Sequence, residues 1–170
     1  MSEKLTLEEE ISIYLNDDLK KNVLDFVVWL KANELALDSV YSSGFDYLDE
    51  RVCIIDVHYK GDKVDSRVPL YIYFNGKFMF DPPNMQIDTD IKEFICENLK
   101  VCTYYSSKGK ICGCVDGDKP PWNRFSIFGK DFDYLCHAPL SFLNPDSETF
   151  EKIKELVNVW KYNIDETKKV

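Results

Sequence analysis

Val68-Pro69-Leu70-Tyr71-Ile72-Tyr73-Phe74-Asn75-Gly76-Lys77-Phe78-Met79-Phe80 is the stretch whose reading decides the fold. Two β-rich runs meet at Asn75-Gly76. A two-residue type I′ turn needs positive φ at both central positions, and Asn-Gly is the pair that accepts this most readily. The stretch therefore predicts an antiparallel hairpin at the centre of the chain. Upstream, Arg51 to Tyr59 reads as a strand, with Cys53, Ile55, Val57 and Tyr59 alternating with Val52, Ile54, Asp56 and His58.

Helices flank this centre. Thr6-Leu7-Glu8-Glu9 has the pattern of a capping box, in which hydroxyl and carboxylate reciprocally bond the first free amides. A short helix follows with Ile11, Tyr14 and Leu15 on one face. Asn16-Asp17-Asp18 starts a second, whose Leu19, Val23, Phe26, Val27 and Leu30 recur at helical spacing up to a stop at Asn33. Residues 34–50 read as an irregular acidic connection. Asp88 is expected to cap a middle helix to about Leu99, and Val101 to Tyr105 to form a short strand. Phe125 to Phe128 reads as strand, and Asp131 to His137 as a helical turn. Asn144-Pro145-Asp146 opens the last helix, with Asn144 as cap and Pro145 in the first turn, and Phe150, Ile153, Leu156, Val157 and Trp160 as its buried stripe. The order predicts an α+β fold, a mainly antiparallel sheet with two N-terminal helices, one middle helix and one C-terminal helix. One domain is expected over 1–170, with 1–5 and 163–170 frayed.

Composition narrows the function classes. The formal net charge is −9 and no basic stripe is present, so an electrostatic footprint for nucleic acid is not expected. No run approaches the ~18–20 apolar residues of a membrane helix. Met1-Ser2-Glu3-Lys4 leads into a polar helix without an apolar leader, so a cytoplasmic protein without a membrane partner is expected. Reduced thiols are then the rule, and six cysteines are read as free thiols or metal ligands rather than as a disulfide framework.

Four of the six, Cys102, Cys112, Cys114 and Cys136, fall in or beside a long polar loop over 106–122. Loops longer than ~12–15 residues tend to be functional or self-packed. Zinc favours four sulfur or nitrogen ligands in a tetrahedron, with sulfur about 2.3 Å from the ion. Cys112-Gly113-Cys114 can supply two thiolates from one tight turn, and His137 is an alternative to one of the cysteines. Iron–sulfur ligation uses the same thiolates, but the spacing is not a familiar one. A second reading is a thiol redox protein using Cys112 and Cys114, with Lys110 and Lys119 nearby. A third is a small-molecule binder whose pocket is lined by Tyr71, Tyr73, Phe78, Phe80, Tyr104, Tyr105, Trp122 and Phe125. Cys53 in an apolar strand and Cys96 in an amphipathic helix are read as packing residues. His58 and His137 are too far apart in sequence to suggest an acid–base pair. No phosphate loop, nucleophile elbow or His-Glu-x-x-His motif occurs, and an enzyme is not expected.

Ile127-Phe128-Gly129-Lys130-Asp131-Phe132-Asp133, then Cys136, then Phe142-Leu143-Asn144-Pro145-Asp146 and a final Ile-Lys-x-Leu helix resemble a family of short cytosolic bacterial proteins with no assigned activity. The helix from Lys21-Asn22-Val23-Leu24-Asp25-Phe26 to Leu30-Lys31-Ala32-Asn33 resembles the same family. The likeness covers both ends of the chain, and the middle more loosely. It implies a cysteine-rich loop before the Ile-Phe-Gly-Lys segment and a cysteine after it, at Cys102, Cys112, Cys114 and Cys136. The chain departs from the Cys-x-x-Cys spacing expected there. The resemblance implies a shared thiol site, with zinc as its occupant, and names no reaction. The partner it leaves open is a small molecule or a protein.

Overall fold

The computed structural model describes residues 5–15, 17–37, 44–55, 57, 69–72, 87–101, 125–132 and 135–169. Their elements are mixed α and β, as the sequence predicts. Helices α1 (Leu7–Tyr14) and α2 (Asp17–Ala32) come first. Strands β1 (Ala36–Leu37), β2 (Gly44–Tyr47), β3 (Glu50–Ile55) and β4 (Pro69–Ile72) follow. Then come α3 (Thr89–Asn98), β5 (Leu99–Val101), β6 (Phe125–Ile127), β7 (Lys130–Phe132), β8 (Leu135–Leu143) and α4 (Ser147–Lys168). Spatial proximity groups the chain into two compact units, one of Met1–Tyr71 with Phe142–Val170, the other of Ile72–Ser141.

In the first unit the capping box forms as read. Thr6 Oγ1 accepts from the Glu9 amide at 3.3 Å, and the Thr6 amide donates to Glu9 Oε2 at 2.8 Å. Helix α1 buries Leu7 and Ile11, and Leu15 at its end is buried too. Lys31 of α2 donates to Glu8 of α1, and this contact holds the Glu8 carboxyl below its usual range. Helix α2 buries Val23, Phe26, Val27 and Leu30, every member of its predicted stripe except the half-buried Leu19. Asn33 does mark the stop: its side-chain amide donates to the Trp29 carbonyl at 2.8 Å, and Glu34 turns left-handed at φ 65°.

The acidic connection read over 34–50 contains structure that the sequence pattern does not announce. Strand β1 pairs antiparallel with β2, and β2 with β3. The β2–β3 turn is two residues long, Leu48-Asp49, with φ of 48° and 68°. Positive φ at both central residues is the type I′ signature, here without Asn or Gly. The register shifts between Phe45 and Asp46, so Val52 is the extra residue of a bulge. The bulge breaks the predicted alternation, and Val52 and Cys53 are both buried. The cross-strand partners Asp46 and Arg51 form an ion pair at 3.0 Å. Of the predicted central hairpin, β4 is found; its turn and second arm at 73–80 lie outside the described residues.

Helix α4 corrects two expectations. Its cap is Asp146, which accepts from the Thr149 amide at 2.8 Å, rather than Asn144. Asn144 takes φ 49°, a left-handed conformation that Asn tolerates well, and Pro145 precedes the cap instead of opening the first turn. The helix runs to Lys168 because Ile164 extends the buried stripe of Phe150, Ile153, Leu156, Val157 and Trp160. Polar contacts hold the same stretch to the hairpin. Tyr47 Oη donates to Asp165 Oδ1 at 2.9 Å, Lys161 Nζ lies 4.7 Å from the Tyr47 ring centroid, and Lys168 donates to the Leu48 carbonyl. Lys161 also donates to the Asn33 carbonyl. At the other end of α4, Phe150 meets Phe26 of α2 with ring centroids 5.0 Å apart.

In the second unit, Ile91 and Ile95 are the buried residues of α3, while Phe94 is half-buried. Asp88 stands at the N-cap but its side chain makes no cap hydrogen bond. Strand β5 starts at Leu99, earlier than the predicted Val101, and pairs antiparallel with β8; 102–105 lie outside the described residues. Asp131 to His137 is not a helical turn. Strands β6 and β7 form a second hairpin, turning at Phe128 and Gly129 with φ of 49° and 75°, and β8 begins at Leu135. Glycine suits the second turn position because it adopts positive φ without strain. Among the described residues, no helix is long and apolar enough to cross a membrane.

Truncation Phe26→Ala removes one side of the inter-helix aromatic contact and should cost about 3–5 kcal/mol in urea unfolding. Combined with Phe150→Ala the loss should be clearly less than additive; strict additivity would show that the two rings do not support each other. Tyr47→Phe keeps the ring under Lys161 and deletes one hydrogen bond, so about 1 kcal/mol is expected.

The Thr149 hydroxyl and amide hold the Asp146 carboxyl below the usual carboxylate range, as Lys31 does for Glu8. A folded-state pKa below the unfolded one stabilises above the unfolded value, and that stability is lost as pH falls below it. Asp146→Asn keeps a good cap without the titration. The fall of Tm with acidification below about pH 4 should therefore be shallower in this variant; an unchanged acid limb would exclude Asp146 as a contributor.

Candidate metal centre

The predicted ligand positions attach to the second unit through its strands. Strand β5 ends at Val101, the residue before Cys102. Cys136 is the second residue of β8 and His137 the third. Val101 and Leu135 are cross-strand partners, so the residues that immediately precede Cys102 and Cys136 face each other in the ladder. Cys102, Cys112 and Cys114 lie outside the described residues, as does His58. So do most of the predicted aromatic pocket residues; Tyr71 lies in β4 and Phe125 in β6. Among the described residues, no group of three or more His, Cys, Asp or Glu is placed to hold a metal ion.

The two cysteines set aside as packing residues are separate from each other in chemistry. Cys53, in β3 of the first unit, is fully buried. Burial penalises the thiolate and pushes its pKa far above the ordinary thiol value. Such a thiol is a poor nucleophile and a poor ligand. Cys96, in the last turn of α3, is only half-buried. Partial burial raises its pKa, Lys130 opposes the rise, and Glu97 adds to it. The neighbouring turn of α3 faces the β6–β7 hairpin in the same way: Lys92 Nζ lies 5.9 Å from the Phe128 ring centroid.

Comparison with known proteins adds no assignment: no family model, curated protein or solved structure matches the chain.

Alkylation at pH 8 followed by peptide mass spectrometry should leave Cys53 unmodified in the native protein and label it fully in urea. Cys96 should label without urea, but more slowly than an unhindered thiol. Native-state labelling of Cys53 at the rate of Cys96 would contradict its burial.

Proposed function

We propose that this chain is a cytoplasmic binding module in which Cys102, Cys112, Cys114 and Cys136 hold one structural zinc ion. The observation that supports the proposal is the antiparallel pairing of Val101 with Leu135, the residues that immediately precede Cys102 and Cys136. Cys112-Gly113-Cys114 would add two thiolates from a single turn. The likeness to proteins with a cysteine loop points to the same four residues. Four thiolates complete a tetrahedron and leave no position for substrate or water, so the ion would tie the 106–122 loop to β5 and β8 rather than catalyse. The burial of Cys53 supports leaving that residue outside the ligand set.

Protein purified under reducing conditions without chelator should carry about one equivalent of zinc per chain by elemental analysis. Cys112→Ser and Cys136→Ser should each lower it to about a tenth or less, while Cys96→Ser should leave it unchanged. A wild-type protein with less than about a tenth of an equivalent of any transition metal would overturn the proposal. Reversible loss of two thiols on mild oxidation, abolished by Cys114→Ser in such metal-free protein, would replace it with the redox reading.

A further inference from the structure

We draw no further inference here: the strongest candidate, the half-buried Cys96 thiol in the last turn of α3 beside Lys130, is a lone cysteine with no second observation that points to a ligand.

Discussion

The first unit depends on the meeting of Phe26 and Phe150. Helix α2 and helix α4 each carry one apolar stripe, and neither stripe can stay in water without a large hydrophobic penalty. The tilted contact of the two rings joins these stripes. Trp29 stacks on Phe26 with centroids 5.9 Å apart, so the cluster extends along α2. A helix of 22 residues is about 33 Å long. Anchored at Phe150, α4 therefore reaches far enough to place Lys161, Asp165 and Lys168 against the β2–β3 hairpin. The hairpin turn in turn contains two left-handed residues, of which Leu48 bears a strain of about 1–2 kcal/mol. Its carbonyl is held by Lys168, and the adjacent Tyr47 by Asp165.

The second unit is organised differently. The short strand β5 pairs with β8 in an irregular register between Leu99 and Val101, and Lys92 of α3 lies 5.9 Å from the Phe128 ring at the β6–β7 turn. The two units divide the cysteines between them. Cys53 belongs to the core of the first unit, where desolvation suppresses its ionisation. The four proposed ligand positions fall within 72–141, the range of the second unit, where Cys102 follows β5 and Cys136 is the second residue of β8.

Helical periodicity made α1, α2 and α4 legible, because a stripe and a cap are local facts of sequence. The capping box at Thr6 and the stripe of α4 read correctly for that reason. The β2–β3 hairpin did not read as one, because Leu48-Asp49 carries none of the Asn or Gly that normally marks such a turn. Its conformation is held by Lys168 and Asp165, far away in sequence, and no local window contains them. At Asn144-Pro145-Asp146 two good capping residues competed, and the left-handed turn at Asn144 left the cap to Asp146. For the cysteines, the burial of Cys53 was legible from its apolar strand. The β5–β8 pairing of the residues that precede Cys102 and Cys136 was not, since it depends on register between distant segments.

The discontinuity of the first unit has a bearing on how it is made. Helices α1 and α2 and strands β1 to β3 are synthesised before 72–141, and α4 only after it. All of 72–141 is translated in between, which at about 5–20 residues per second takes several seconds. During that interval the stripe of Val23, Phe26, Val27 and Leu30 has no α4 to pack against. Until then Phe26 lacks its aromatic partner Phe150.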